Sequence, residues 1–231
     1  MTTNQTWTRP QTTVVLAMSA DGKISDVARS PANFGSANDK AHLENQVAQA
    51  DGILFGAGTL RSGGTAMRVV NPELLKQRES LGKPAQPVQI VCSRTSKIDP
   101  QLGFFRQPIP RWLLTTSAGA QDWEGRPEFE RILVTETSAG EINWNEAFQQ
   151  MAQLGLKQLS ILGGGELVAS LLEADLIDEF WLTVCPLILG GATAPTPVEG
   201  AGFLSDQGKR LELLSAQTME QEVFLHYRLQ R

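Results

Sequence analysis

The chain has 231 residues, of which 41% are hydrophobic and 19% charged, and its formal net charge is −5. This composition predicts a globular protein and excludes a disordered acidic chain or a coiled coil. Lys and Arg are scattered singly, so nucleic acid is not an expected partner. No apolar run approaches the roughly 18 residues of a transmembrane helix, so no membrane association is expected either.

Strands and helices alternate along most of the chain. Residues 1–11 are polar and predicted to be flexible, and residues 12–231 are predicted to form one domain. Short β-branched or apolar runs predict strands at residues 12–20, 51–58, 87–93, 111–116, 131–135, 158–162 and 178–189. Helical spacing of apolar residues predicts helices at 39–50, 72–80, 144–154 and 166–174, with Asn143 as the N-cap of the third.

The C-terminal part of the chain has a different pattern. Residues 211–216 and 223–229 predict two strands with no helix between them, and residues in the second strand alternate as in a half-buried antiparallel strand. Alternating strands and helices followed by a hairpin predict the α/β class. The expected sheet is mostly parallel, with an antiparallel C-terminal hairpin.

The few cysteines and histidines form no recognisable metal-binding pattern. Cys92 and Cys185 lie inside apolar runs, which predicts buried, reduced thiols in a cytoplasmic protein, although a disulfide between them is an alternative. His42 and His226 are isolated, so no metal site is expected. The apolar residues 14–18 lack the flanks of a signal peptide.

Two glycine-rich turns each follow a predicted strand and precede a helical segment. The first contains Gly56, Gly58 and Thr59, and the second is the run Gly-Gly-Gly-Glu-Leu at residues 163–167. Glycines at the carboxyl end of a parallel strand let backbone amides approach a phosphate, and a helix N-terminus adds a positive dipole. The pair therefore predicts a pyrophosphate site, although either one is also explained as a simple turn.

The fingerprint of a Rossmann dinucleotide site is absent, because the third glycine is missing and no acidic ribose ligand is apparent about 20 residues later. Instead, Ser93 and Arg94 follow a predicted strand. A hydroxyl beside a guanidinium suits the 2′-phosphate of NADP, which favours NADPH, although Arg94 is also explained as a solvated surface residue.

Four blocks occur in an order that resembles one family. They are SADGKIS at 19–25, DGILFGAGTLR at 51–61, GGGEL with LIDE at 163–179, and PLILGG with APT at 186–196. The sequence resembles the reductase domain of riboflavin biosynthesis, within the dihydrofolate-reductase-like family. That resemblance implies a three-layer fold, NADPH as hydride donor, a homodimer, and 5-amino-6-(5-phosphoribosylamino)uracil as the small-molecule substrate.

The resemblance also implies roles for individual residues. Backbone groups of Ala17 and Ile24 would bind the nicotinamide carboxamide, and Ser93 and Arg94 the adenosine phosphate. The residues implied at the pyrophosphate and the first turn are Gly56, Gly58, Thr59, Gly163, Gly164, Gly165, Glu166 and Leu167. Asp21 is either a substrate contact or general acid, or only a turn former. Asp39 either binds substrate or caps the first helix.

The substrate side departs from the family pattern. Val47 stands where the family has an arginine for the ribosyl phosphate, Gly63 and Gly64 replace an acidic pair, and Leu162 replaces a polar residue. A buried phosphate needs a cation, and Lys23 and Arg68 are the candidates. Two alternatives follow from these departures: a reductase of the same fold acting on another heterocycle or imine, and a nucleotide-binding protein without turnover.

Overall fold

The computed structural model describes residues 8–231, and within that range strands and helices alternate as the sequence predicts. The strands are β1 (Gln11–Ser19), β2 (Gly52–Gly56), β3 (Val88–Cys92), β4 (Arg111–Thr115), β5 (Arg131–Val134), β6 (Gln158–Ile161), β7 (Glu179–Cys185), β8 (Leu211–Met219) and β9 (Glu222–Leu229). The helices are α1 (Ala37–Gln49), α2 (Ala57–Gly63), α3 (Pro72–Ser80), α4 (Ser117–Ala120), α5 (Trp144–Gln153) and α6 (Gly165–Glu173). Short 3₁₀ turns lie at Gly103–Arg106 and Gln121–Trp123.

All nine strands form one sheet in the order β5-β4-β3-β2-β6-β1-β7-β9-β8. The seven strands from β5 to β7 pair in parallel, whereas β9 pairs antiparallel with β7 and with β8. The predicted fold class, a mostly parallel sheet with an antiparallel C-terminal hairpin, is therefore confirmed. Because parallel strands share a direction, the turns after β1, β2, β3 and β6 all emerge at one edge.

Helices cover both faces of the sheet and make it the middle of three layers. On one face, α5 and α6 bury Phe148, Met151 and Leu171 against the strands. On the other face, α1 and α2 bury Val47 and Leu60 in a separate cluster, with α3 packed beside it. The central strands are buried on both faces, which explains why they are nearly continuous apolar runs.

Several boundaries differ from the sequence prediction for local reasons. Helix α1 begins at Ala37 because Ser36 is its cap, with the Ser36 hydroxyl accepting from the amides of Asn38 and Asp39. Of the two interpretations of Asp39, the one in which it caps this helix is therefore wrong. Strand β7 ends at Cys185, directly before Pro186, whose missing N–H cannot continue a ladder.

The beginning of the described chain is fixed by an ion pair. Residues 1–7 of the predicted flexible segment lie outside the described residues, whereas Gln11 already belongs to β1. The Arg9 guanidinium makes two hydrogen bonds to the Asp178 carboxylate, at 2.7 and 2.8 Å. Asp178 also accepts from the Thr12 amide and from the Arg231 guanidinium, so it links the start of β1 to the residue two positions after β9.

Both cysteines are buried and unpaired, as predicted. Burial raises the pKa of the Cys92 and Cys185 thiols to about 12. Thiols with such pKa values are protonated at neutral pH, so neither is a nucleophile.

Within residues 8–231, none of the helices has the length and the apolar content needed to cross a membrane.

Candidate functional site

A crevice opens at the carboxyl edge of the sheet because its central strand is short. Strand β6 pairs with β1 only as far as Val14 and with β2 only as far as Leu54, and it ends at Ile161. Strand β1 continues to Ser19 and β2 to Gly56. The two neighbours therefore extend beyond β6 and leave a gap between them, which is where open α/β sheets bind ligands.

The two glycine turns predicted from the sequence meet in this gap. The Gly56 N–H donates to the Gly163 carbonyl at 2.9 Å. A Cβ atom on Gly164 would lie 3.6 Å from the Thr59 hydroxyl oxygen. Gly58 belongs to the first turn of α2, which starts directly after Gly56. The structure thus brings both turns together at one place.

Each residue of the triple glycine has a different reason to lack a side chain. Gly163 has a φ of +88°, a conformation that L residues rarely adopt. A Cβ on Gly165 would clash with the Thr196 carbonyl and with Glu199. Gly164 has an ordinary φ of −76°, and a Cβ there would contact only the Thr59 hydroxyl oxygen, at an ordinary distance. The space in front of Gly164 is therefore available to a ligand.

The N-terminus of α6 faces the same gap. Gly164 is its N-cap and supplies no side-chain hydrogen bond. The first hydrogen bond of the helix runs from the Val168 N–H to the Gly164 carbonyl. The amides of residues 165–167 therefore lie outside the helix's own ladder, and together with the helix dipole they suit an anion.

A cleft of about 610 Å³ extends from these turns along the α5–α6 face. Residues predicted from the sequence that line it are Gly56, Ser93, Arg94, Glu166 and Leu167. Lining residues that the sequence did not indicate are Cys92, Glu141, Ile142, Trp144, Ser170, Glu173 and Ala174. Three of the twelve lining residues are carboxylates and only one is a cation, so the cleft carries a local excess of negative charge.

Ser93 and Arg94 lie at the end of β3, as predicted. The Ser93 hydroxyl oxygen accepts from the Ser96 amide at 3.0 Å, which leaves its own proton as a donor. The Arg94 carbonyl accepts from the Thr116 hydroxyl at 2.9 Å. The Arg94 guanidinium lies 3.5 Å from the Glu141 carboxylate, and both side chains are more than half exposed.

Asp21 lies in the turn after β1 and fastens a neighbouring loop. Its carboxylate accepts from the Ser19 hydroxyl at 2.6 Å and from the amides of Leu189 and Gly190. These hydrogen bonds, that from Ser19 first, lower the pKa of Asp21 to about 2. A carboxylate with this pKa holds no proton at neutral pH, which favours the turn-former interpretation over a general acid.

Asp39 faces the sheet from the first turn of α1. Burial raises its pKa, a hydrogen bond with Thr183 lowers it, and the nearby Glu222 carboxylate raises it further. Thr183 pairs in register with Ala17 on β1. Glu222 accepts from the amide and the hydroxyl of Ser36, which fixes the start of the helix. Asp39 therefore lies on the α1 face of the sheet, against β7 and one strand away from the gap, beside Ala17 of β1.

In the turn after β1, a backbone group that was expected to bind the nicotinamide carboxamide is already hydrogen-bonded within the protein. The Ile24 N–H donates to the Pro195 carbonyl at 2.9 Å. That contact fixes Ile24 but occupies its amide. The Lys23 backbone closes the turn, since its carbonyl accepts from the Ser19 amide and its amide donates to the Ser19 hydroxyl. Lys23 is therefore at the carboxyl edge, as its predicted role requires.

Arg68 lies at the opposite edge of the sheet. The adjacent Val69 amide donates to the Gln86 side chain, just before β3 begins, and the Gln89 side chain donates to the Met67 carbonyl. Both contacts are with the amino end of β3. This position argues against Arg68 as the cation that replaces an arginine at Val47, which itself is fully buried in the core.

Arg29, which the sequence did not indicate, is a cation beside the crevice. Its carbonyl accepts from the Ser62 hydroxyl on α2 at 2.8 Å. Its guanidinium pairs with Glu199 at 3.1 Å, and the Glu199 amide donates to the Gly165 carbonyl. The loop that carries Arg29 therefore spans from α2 to the second glycine turn.

The RibD C-terminal domain family model matches residues 10–225. The 2,5-diamino-6-ribosylamino-4(3H)-pyrimidinone 5′-phosphate reductase of Archaeoglobus fulgidus is 27% identical over 196 residues, which cover 85% of this chain and 89% of that protein.

Two solved structures show the same fold. A pyrimidine reductase-like protein of Corynebacterium diphtheriae superposes with a TM-score of 0.80 at 22% identity, over 98% of this chain and 94% of that one. Dihydrofolate reductase of Enterococcus faecalis superposes with a TM-score of 0.51 at 14% identity, over 96% and 97%. The dihydrofolate-reductase-like fold is thereby confirmed, and the family match over nearly the whole sequence means that the chain belongs to the RibD C-terminal domain family.

Proposed function

We propose that this protein is the NADPH-dependent reductase of riboflavin biosynthesis that acts on 5-amino-6-(5-phosphoribosylamino)uracil. The observation that carries this proposal is the meeting of the two glycine turns at the crevice, beside the N-terminus of α6. The name of the Archaeoglobus fulgidus relative supports the reaction class and indicates a second form of substrate, the 2,5-diaminopyrimidinone.

The proposed roles divide between the two faces of the sheet. On the α5–α6 face, the amides of residues 165–167 bind the pyrophosphate and Ser93 and Arg94 bind the 2′-phosphate. On the α1 face, Asp39 and Lys23 contact the substrate. The bound cofactor supplies the hydride, and reduction of an imine adds hydride to carbon and a proton to nitrogen. The raised pKa of Asp39 suits a group that holds a proton near that nitrogen.

The test is turnover in vitro together with complementation of a strain that lacks the riboflavin reductase. We expect growth without added riboflavin, and NADPH oxidation with the uracil or the diaminopyrimidinone form of the ribosylamino phosphate. Oxidation of NADPH with another imine but with neither of these would instead favour a reductase that acts on a different heterocycle.

The observations in favour of that second function are the buried Val47 and the half-buried Leu162, which replace polar residues of the family pattern. Cofactor binding without any turnover would favour a non-catalytic protein.

Replacing Arg94 should change the preference for the phosphorylated cofactor. A charge-assisted hydrogen bond contributes about 1.5–3 kcal/mol, but Arg94 is more than half exposed and paired with Glu141, so solvent reduces the effect. We therefore expect Arg94→Ala to weaken NADPH binding about tenfold and to leave NADH binding nearly unchanged. Calorimetric titration of both cofactors measures this difference. Arg68→Ala is the matched control, and equal affinities of the parent for NADPH and NADH would contradict the NADPH assignment.

The ribosyl phosphate needs a cation at the carboxyl edge, and we propose Arg29 together with Lys23. Because Arg29 is exposed and shares its charge with Glu199, we expect Arg29→Ala to raise the KM for the phosphorylated substrate about tenfold. Arg68→Ala should leave the KM unchanged, since Arg68 lies at the opposite edge. Initial rates with the phosphorylated and the dephosphorylated substrate give the measurement. An equal effect of Arg29→Ala on both substrates would show that Arg29 does not contact the phosphate.

We propose that the protein is a homodimer. Strand β8 forms one edge of the sheet, pairs only with β9 among the described strands, and exposes Leu211, Leu213 and Met219. A long apolar edge strand is a surface that proteins usually cover. Light scattering during gel filtration should give about twice the chain mass of 25.2 kDa. A mass of one chain would contradict this proposal.

We also propose a cytoplasmic location. The two buried, unpaired thiols suit a reducing compartment. Cell fractionation tests this location directly.

A further inference from the structure

Two side chains of opposite charge meet at the mouth of the proposed cofactor cleft. The Arg94 guanidinium lies 3.5 Å from the Glu141 carboxylate, and both residues line the cleft. Arg94 follows β3, whereas Glu141 belongs to the segment between β5 and α5. The two are therefore brought together only by the fold.

These two residue types have opposite uses at the adenosine ribose of a dinucleotide. An acidic side chain accepts hydrogen bonds from the ribose hydroxyls and favours NADH, whereas an arginine accommodates the 2′-phosphate and favours NADPH. The sequence offers no acidic residue at the usual distance from the first glycine turn. The structure supplies one from a distant segment and pairs it with the candidate phosphate ligand.

The position of Glu141 is fixed by its own backbone. Its amide donates to the Thr137 hydroxyl at 3.2 Å, and its carbonyl accepts from the Thr137 amide at 2.8 Å. The next residue, Ile142, is buried in the core. The carboxylate is therefore held at the cleft mouth by an ordered turn, rather than carried there on a free loop.

We propose that Glu141 sets the choice between NADPH and NADH by pairing with Arg94 and by repelling the 2′-phosphate. This inference rests on the proposed function, because it requires the cofactor to occupy this cleft. The 2′-phosphate would compete with Glu141 for the Arg94 guanidinium and would bring two negative groups together. A ribose hydroxyl, by contrast, donates to Glu141 and leaves the ion pair in place.

The test compares NADPH and NADH affinities, measured by calorimetric titration at low ionic strength, for the parent and for Glu141→Gln. We expect Glu141→Gln to tighten NADPH binding about threefold and to weaken NADH binding by a similar factor, the range of an exposed ion pair. The ratio of the two affinities should then change about tenfold. High salt should reduce the gain for NADPH, because exposed charges are screened.

Glu173→Gln is the matched control. Glu173 lines the same cleft, and its removal changes the net charge equally, but Glu173 is not the ion-pair partner of Arg94. It should change the affinity ratio by less than about twofold. If Glu173→Gln shifts the ratio as much as Glu141→Gln does, the effect is one of net charge and the inference is wrong.

Arg94→Ala separates a failure of this inference from a failure of the proposed function. If Arg94→Ala weakens NADPH binding while Glu141→Gln changes neither affinity, the cofactor occupies the cleft and only the role of Glu141 is wrong. If Arg94→Ala changes neither affinity, the 2′-phosphate does not lie at this mouth and the inference fails, whereas NADPH oxidation by the parent would still support the proposed function. If both act as expected, Glu141→Gln in the Arg94→Ala background should tighten NADPH binding less than it does in the parent, because the competition for the arginine is gone and only the repulsion of the 2′-phosphate remains to be relieved.

Discussion

Gly164→Ala is expected to abolish most of the NADPH binding while leaving the fold intact. Gly164 has an ordinary backbone conformation, and an added Cβ would lie 3.6 Å from the Thr59 hydroxyl oxygen, which is normal contact distance. The methyl group would stand in the space between the two glycine turns. There it would separate a phosphate from the amides of residues 165–167. Losing one charge-assisted hydrogen bond weakens affinity by about 10- to 100-fold.

The neighbouring glycine supplies the contrast. A Cβ on Gly165 would clash with the Thr196 carbonyl, which is backbone and must shift. Gly165→Ala should therefore destabilise the fold, by about 1–3 kcal/mol for such overpacking. Urea unfolding should show a lower midpoint for Gly165→Ala and an unchanged midpoint for Gly164→Ala. If Gly164→Ala binds NADPH like the parent, the pyrophosphate does not lie at this turn.

Asp39→Asn is expected to slow turnover about 100-fold, the lower range for loss of a proton-transferring group, and to stabilise the fold at neutral pH. Burial holds the pKa of Asp39 above its ordinary value of 3.8, so the folded protein binds this proton more tightly than the unfolded chain. Ionisation of Asp39 then lowers the free energy of unfolding as the pH rises from that ordinary value through the raised pKa. Asparagine carries no charge and removes this loss.

Unfolding midpoints measured below pH 3.8 and at neutral pH test the sign of the effect. The two proteins should agree in acid, and Asp39→Asn should be more stable at neutral pH. Thr183→Val is the control for the hydrogen bond alone, and it should reduce turnover less than Asp39→Asn does. A variant that gains stability while keeping the parent's rate would exclude Asp39 from the reaction.

The sheet and most helices were predictable because their signals are local. Helix α3 agrees with the prediction at both ends, since Asn71 is its cap and Pro72 occupies its first turn. The start of α1 was not predictable in the same way. Ser36, Asn38 and Asp39 are all suitable caps, and the choice of Ser36 accompanies its hydrogen bonds to Glu222, which lies 186 residues away in the sequence.

The glycine turns were predictable for the same local reason, whereas much of the cleft wall was not. Trp144 has the spacing of a core residue on an amphipathic helix, and only the packing of α5 puts it at the cleft. Glu141 belongs to a turn that approaches β3 through the fold. The sequence prediction put Arg68 beside the substrate phosphate at the carboxyl edge of the sheet. Periodicity does not show which way a loop runs, and this loop crosses from the carboxyl edge to the amino edge.

The early end of β6 also affects the order in which two ligands can arrive. The cleft lies on the α5–α6 face, whereas Asp39 approaches from the α1 face, and the sheet separates them everywhere except at the gap. With the proposed roles, cofactor and substrate would reach the gap from opposite faces of the sheet, and neither would block the path of the other. Steady-state kinetics should then show no compulsory order of binding or release.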